Sequence, residues 1–123
     1  MKLYRVQDRE GRGPYRPGLS KLWSDPEGPV VVPWWTEMGV SVQAAIEMMP
    51  QDMFTGCAFD SMKKLSDWFT AKERQKLDAL GFYIVRFRPD KVLARTQSQV
   101  VFAQNYPLSG LPAVSRLVGV EAA

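Results

Sequence analysis

The chain has 123 residues, a formal net charge of +3, one cysteine and no histidine. A single cysteine excludes an internal disulfide, and the lack of histidine excludes Ser-His and Cys-His nucleophile pairs and His-ligated metal sites. No apolar run approaches the roughly 20 residues that cross a bilayer, and no apolar signal-peptide region follows the N-terminus. We therefore expect one cytoplasmic domain over residues 1–123, with no metal and no membrane contact.

A short strand and a long loop are expected first. Lys2 to Gln7 has the apolar and aromatic residues of a strand. Residues 8–29 hold too many glycines and prolines for a regular element, although their aromatic residues indicate an ordered, packed loop. Up to Lys21 the chain carries six Lys and Arg residues against two acidic ones. This local positive charge favours an anionic partner, with a merely solvated surface as the alternative.

A short strand at Val30–Val32 and a helix capped by Ser41 and ended by Pro50 are expected next. Trp34 and Trp35 lie between them. Neighbouring side chains of an extended backbone face opposite ways. One of the two indoles therefore faces a pocket or a partner, unless both are buried under the long loop.

Two helices follow a short strand over residues 55–59. Asp60 or Ser61 caps the first helix, and its buried face is expected to be Met62, Leu65, Trp68 and Phe69. Thr70 and Glu73 have the spacing of a capping box, which predicts the start of the second helix. That helix is expected to end at Gly81 in a left-handed conformation.

The last third of the chain predicts strands over residues 82–88, 91–94 and 97–103, and an edge strand within residues 114–120. Together with the earlier elements, this order predicts an α+β domain. We expect a mixed or antiparallel sheet, about three helices and a long ordered N-terminal loop.

Three familiar motifs fail on inspection. A phosphate-binding loop over residues 13–20 would need lysine where Leu19 stands. A dinucleotide fingerprint that starts at Gly11 meets Arg16 in place of its third glycine, and no helix opens there. Cys57 has no histidine to activate it, so we predict a small buried strand residue rather than a nucleophile.

Two short stretches carry a resemblance. Leu3-Tyr4-Arg5 resembles the opening motif of ADP-ribosyltransferases, in which an Arg or His grips the ribose of NAD. Gln99-Val-Val-Phe resembles the late strand of that family, which a glutamate or sometimes a glutamine heads. The resemblance implies an NAD-binding fold with NAD as substrate and Arg5 and Gln99 as catalytic residues. The cofactor-binding residues that it implies are Tyr4, Arg12, Tyr15, Arg16, Trp34 and Trp35. Because Gln99 is neutral where the family has an acid, slow transfer or none is expected.

A looser resemblance points to small proteins carried by bacterial prophages. It rests on Tyr4-Arg5, the Gly- and Pro-rich run over residues 11–18, Gly56-Cys57 and Trp68-Phe69. Such proteins include enzymes that modify host factors and inhibitors of host defence, such as anti-CRISPR proteins. The alternative function is therefore a non-enzymatic module whose basic, aromatic loop docks a host protein or a nucleic acid. No sequence-specific DNA-binding or RNA-binding motif is present.

Overall fold

The computed structural model describes residues 1–14, 19, 22–24, 53–105 and 107–118. Within them, five strands and two helices form an α+β fold with antiparallel sheets, as the sequence predicts. In chain order they are β1 Leu3–Gln7, β2 Phe54–Ala58, α1 Met62–Trp68, α2 Ala71–Ala79, β3 Tyr83–Phe87, β4 Lys91–Arg95 and β5 Val100–Gln104. The strand predicted at Val30–Val32 and the helix predicted after Ser41 fall outside the described residues.

The described strands form two sheets. β1 and β3 pair antiparallel from Leu3 opposite Phe87 to Gln7 opposite Tyr83, and we call this pair the β1–β3 ribbon. The other sheet has the order β2-β5-β4. One bridge connects the two sheets: the Tyr4 amide donates to the Phe59 carbonyl at 2.7 Å, and the Phe59 amide donates back at 2.8 Å.

The ribbon is covered on both faces. Side chains alternate across a strand, so one set of ribbon residues packs against the helices and the other set packs against the three-stranded sheet. The helix-side core includes Val6 and Ile84, together with Phe59, Leu65, Phe69 and Leu77. The sheet-side core includes Leu3, Val85 and Phe87, together with Val100 and Phe102. Because both faces of the ribbon are buried, β3 carries apolar residues on both of its faces.

Both helices begin where the sequence predicts. The Ser61 hydroxyl accepts from the Lys64 amide at 3.1 Å. Thr70 and Glu73 complete a reciprocal capping box, which satisfies two amides at the start of α2. Gly81 follows α2 with φ +95°, the left-handed conformation that glycine adopts readily.

Two predicted strands differ from the observed ones. β5 begins at Val100 rather than at Gln97, because the Thr96 hydroxyl accepts from the amides of Ser98 and Gln99 and closes a turn there. In the described part of the predicted C-terminal edge strand there is only an isolated bridge between Ser115 and Ile84. Leu117, fully buried in the helix-side core, holds this part of the tail in place.

Candidate functional site

The Arg5 side chain lies buried between the two sheets, with 6% of its surface exposed. Its guanidinium donates to three acceptors: Gln7 Oε1 at 3.3 Å, the Cys57 carbonyl at 3.2 Å and the Gly11 carbonyl at 3.3 Å. All three acceptors are neutral, and Arg5 forms no ion pair with a described residue. Arg5 therefore connects β1, β2 and the start of the N-terminal loop.

Aromatic rings enclose the same guanidinium. Its central carbon lies 5.1 Å from the Phe54 ring centroid and 5.9 Å from that of Phe102. Both distances fall within the range of a cation–π interaction. Burial lowers the pKa of Arg5 to about 10, against the opposing effects of Cys57 and Asp8. The side chain is thus still a cation at neutral pH, and its charge is held by carbonyls, an amide oxygen and rings.

Glycine makes room for this cation. A Cβ on Gly13 would lie 3.2 Å from Arg5 Nη2, and one on Gly56 would lie 3.1 Å from Arg5 Nη1. Both contacts are tighter than most real Cβ contacts. The glycines of the loop and of β2 are therefore explained in part by the close approach of the guanidinium.

Asp8 folds the loop that follows β1 into a tight turn. Its carboxylate accepts from the amides of Glu10 and Arg12 and from Arg12 Nε, each at 3.0 Å. Burial opposes ionisation of Asp8, but these hydrogen bonds from Arg12 and Glu10 outweigh it and lower the pKa of the carboxyl group. Glu10 adds a second ion pair to Arg12 at 3.2 Å.

The turn is clamped against residues 108–110. Gln7 Nε2 donates to the Leu108 carbonyl at 2.8 Å, and the Gly110 amide donates to the Arg9 carbonyl at 3.3 Å. Gly11 has φ +81°, and a Cβ there would lie 2.8 Å from the Ser109 backbone nitrogen. Only glycine fits this position without a shift of the backbone.

An open cleft of about 460 Å³ lies beside this turn. Residues of the turn and of the junction between α2 and β3 line it: Asp8, Arg9, Glu10, Arg12, Leu80, Gly81 and Tyr83. Arg9 is exposed, and no acidic side chain of the described residues forms an ion pair with it. Leu80 is 42% exposed. The cleft therefore offers a guanidinium that has no ion pair within the described residues, next to an exposed apolar side chain.

Gln99 lies immediately before β5, at the position where the resemblance expects it. It is 4% exposed, and its Nε2 has no hydrogen-bond partner among the residues that the structure describes. Among the described residues, no hydrogen bond joins Gln99 to Arg5, whose contacts lie further along the sheet at Cys57 and Phe102. The structure thus places Arg5 on β1 and Gln99 immediately before β5, in separate surroundings.

The predicted cofactor-binding residues divide into two groups. Tyr4 is half-buried in β1 and packs against the helix-side core, while Arg12 is exposed and paired with Asp8 and Glu10. The remaining four fall outside the described residues: Tyr15, Arg16, Trp34 and Trp35. The catalytic and NAD-binding roles expected for all of these side chains stay predictions.

Other residues of this region carried weaker signals in the sequence. Cys57 lies on a strand, as expected, but is half-buried rather than buried, because β2 is at an edge of its sheet. The sequence does not predict the burial of Gln7, because a polar strand residue normally faces solvent. Arg9 is far from Leu80 and Tyr83 in the sequence, and the pairing of β1 with β3 brings them to one cleft.

Two searches of the described part of the chain gave negative results. None of its helices is long and apolar enough to span a membrane. No group of three or more His, Cys, Asp or Glu side chains in it is arranged to hold a metal ion.

Comparison with known proteins matches the chain to a family model. The family model described as Bacteriophage T4 Y00F protein matches residues 1–108, which include every strand and helix given above. The description names a phage source and no activity. No curated protein and no solved structure matches the chain.

Proposed function

Because this chain belongs to the Bacteriophage T4 Y00F protein family, we propose that it is a phage binding module that docks a host protein without chemistry. The docking surface is the cleft between the turn over residues 8–12 and the junction of α2 with β3. Anti-CRISPR proteins and other inhibitors of host defence are examples of such a module. The partner presents an acidic group to Arg9 and an apolar group to Leu80 and Tyr83.

The main support for this proposal is that the Arg5 guanidinium already donates hydrogen bonds to acceptors within the protein. An arginine that grips a nucleotide needs free donors aimed at the phosphates or the ribose. Three of the five N–H donors of Arg5 already reach Gln7, Gly11 and Cys57 in a buried site. Removing them from these acceptors would leave buried carbonyls unpaired, at a cost of about 1–3 kcal/mol each. Arg5 therefore supports the turn rather than a ligand.

The cleft has the chemistry of a protein-docking surface. Arginine and tyrosine are common anchors of protein interfaces, and apolar side chains supply the buried contact area. Arg12 is already neutralised by Asp8 and Glu10, which leaves Arg9 as the cation of the cleft without an ion pair to a described residue. One new ion pair in a partly desolvated cleft adds specificity more than affinity.

Affinity capture from bacterial lysate tests the proposal with two matched variants. Arg9→Glu reverses the charge of the exposed arginine in the cleft. Lys72→Glu makes the same change of charge on the exposed face of α2, away from the cleft lining. We expect at least one host protein to be retained by the wild type and by Lys72→Glu and lost with Arg9→Glu. Calorimetry with the purified host protein then measures the difference in Kd, expected to be tenfold or more.

Two other outcomes would contradict the proposal. If all three proteins capture the same partners with the same affinity, docking does not use Arg9. If titration with NAD gives saturable heat, the protein is a nucleotide-binding protein instead.

A second candidate, an ADP-ribosyltransferase-like domain that binds NAD, has one observation in its favour. Gln99 buries an amide nitrogen immediately before β5, and within the described part of the chain this nitrogen has no hydrogen-bond partner. A ribose hydroxyl would satisfy that donor, since an unpaired buried donor is costly. Calorimetric titration with NAD of the wild type and of Gln99→Met separates this candidate from the first. Saturable heat that Gln99→Met abolishes would support it.

A further inference from the structure

β4 is the outermost strand of the three-stranded sheet. The order of that sheet is β2-β5-β4, and within the described part of the chain no strand pairs with the far side of β4. Lys91 and Val92 are exposed, and the large apolar side chain of Val92 shows 42% of its surface to solvent. The open side of an edge strand presents backbone N–H and C=O groups that serve as a template for a further strand. β4 is therefore a candidate surface for strand addition.

A hydrogen bond on the other side of the sheet shows which residues of β4 bond to β5. The Cys57 carbonyl accepts from Arg5 Nη1 at 3.2 Å, so the backbone of Cys57 points away from β5. Cys57 lies opposite Val101. Hydrogen-bonded and non-hydrogen-bonded pairs alternate along antiparallel strands, and the backbone of Val101 therefore faces β4 instead of β2. Ala94, which lies opposite Val101 in β4, is thus bonded to β5.

The backbones of Val92 and Arg95 point to the open side of β4. Their partners in β5 are Phe102 and Val100, which face β2 because the pairs alternate. These partners are two residues apart, whereas Val92 and Arg95 are three apart, since β4 contains a bulge. The bulge takes up the extra residue, so the outward groups lie about 7 Å apart, the spacing of alternate residues in a regular strand. An added strand can therefore meet both of them.

The side chains along this edge indicate what an added strand would carry. Gly56, Phe102 and Val92 form one row across the sheet. Phe102 is fully buried, whereas Val92 at the end of the row is partly exposed. An apolar residue beside Val92 would extend the row and remove that surface from water. Lys91 precedes Val92 and forms no ion pair with a described residue, so an acidic residue opposite it would complement its charge.

We propose that β4 docks an extended segment of a partner protein, which adds to the sheet as an antiparallel strand. In this segment an apolar residue lies beside Val92, and the acidic residue that follows it lies opposite Lys91. Main-chain hydrogen bonds to Val92 and Arg95 supply affinity, and the side chains supply specificity. A second copy of this chain fits less well, because it would add its own Lys91 and Arg95 to an edge that already carries both cations. The inference does not depend on the protein-docking cleft, which uses other residues.

Nuclear magnetic resonance of the isotope-labelled full chain tests the proposal with three synthetic peptides. The first is acetyl-Thr-Thr-Val-Thr-Val-Glu-Thr-amide, and we expect it to shift the amide signals of Val92 and Arg95 and to slow their hydrogen exchange. The second peptide has Lys in place of Glu and should bind about fivefold more weakly. The third carries N-methyl groups on both valines, which removes the two amides that would donate to β4. Its affinity should be about 30-fold lower than that of the first.

Two variants of equal charge test how the added strand is aligned. Lys91→Glu should reverse the order of the first two peptides, so that the lysine peptide binds this variant more tightly. Lys72→Glu makes the same change on the exposed face of α2 and should keep the order of the wild type. Both side chains are exposed, so circular dichroism should show unchanged folding. An order that Lys91→Glu leaves unchanged would contradict the proposed alignment.

Four further results would overturn the proposal. Slow exchange of the Val92 and Arg95 amides before any peptide is added would show that this edge is already paired. No shift of these amides with about 5 mM of the first peptide would exclude strand addition. Equal binding of the N-methylated peptide would assign the contact to side chains alone. An increase in particle size with protein concentration, together with shifts of the β4 amides, would make a second copy the occupant.

Discussion

The two faces of the β1–β3 ribbon handle positive charge in opposite ways. On the face toward the three-stranded sheet, Arg5 is buried against neutral acceptors. On the face that carries Tyr4, Arg86 is exposed and has no ion pair with a described residue. The same pair of strands thus carries a structural cation and a surface cation.

The difference shows how the surroundings of an arginine decide its use. Arg5 and Arg86 lie on neighbouring strands one residue apart in register, yet their side chains point to opposite faces. A buried guanidinium with its donors occupied stabilises the fold, whereas an exposed one without a partner costs little to engage with a ligand. The ligand-binding surfaces of this protein should therefore be sought at exposed cations, not at Arg5.

The largest expected effect comes from comparing Arg5→Met with Arg86→Met. Arg5→Met leaves Gln7 Oε1 and the carbonyls of Gly11 and Cys57 without their donor, so we expect a loss of about 3 kcal/mol in the free energy of unfolding. Arg86→Met should change it by less than about 0.5 kcal/mol. Urea unfolding followed by tryptophan fluorescence measures both. Equal losses would contradict the division between the two faces of the ribbon.

A second comparison concerns the clamp that holds the turn at the Gln7 end. Gly11 and Gly110 both have positive φ, but an added Cβ meets the Ser109 backbone only at Gly11. Gly110→Ala should cost about 1–2 kcal/mol through backbone strain alone. Gly11→Ala should cost about 1 kcal/mol more, since either Ser109 or the turn must move. The difference in urea midpoint tests this order, and a larger loss for Gly110→Ala would show that the turn is not clamped.

The smallest effect should depend on pH. Asp8 has a lowered pKa in the folded protein, so its ionised form stabilises the fold above the ordinary Asp pKa of about 4, and this stability is lost as the pH falls through the lower folded value. Asp8→Asn should destabilise the protein by about 1 kcal/mol at neutral pH. The difference from the wild type should shrink as the pH falls below about 4.

Asp67→Asn is the matched control for the pH measurement. Asp67 forms an exposed ion pair with Lys63, and such pairs contribute little to stability, less than about 0.5 kcal/mol here. Thermal unfolding at a series of pH values measures both variants. A constant deficit for Asp8→Asn down to strongly acidic pH would mean that the carboxylate charge does not support the turn.

Local sequence signals predicted the helices well. Ser61 and the Thr70–Glu73 capping box are short-range patterns whose partners lie within three residues. Gly81 is a similar local signal for the end of α2. The strands β1 to β5 were also expected near their observed places, because alternation and turn residues define them locally.

The site could not be predicted in the same way. The acceptors of Arg5 come from Gly11 and from Cys57, which is 52 residues away along the chain. No local pattern reveals that β1 and β2 enclose a guanidinium, or that a two-stranded ribbon has cores on both faces. The sequence did contain one usable signal, since Leu3, Arg5 and Gln7 alternate along β1 and therefore share one of its faces.

Nuclear magnetic resonance of the arginine Nε–H groups tests the division of roles most directly. We expect a slowly exchanging signal for Arg5, whose Nε donates to Gln7 Oε1 at 3.3 Å, and no shift of this signal when NAD is added. We expect fast exchange for the exposed Arg86. A shift of the Arg5 signal with NAD, or an Arg5 signal that exchanges as fast as that of Arg86, would contradict the division of roles.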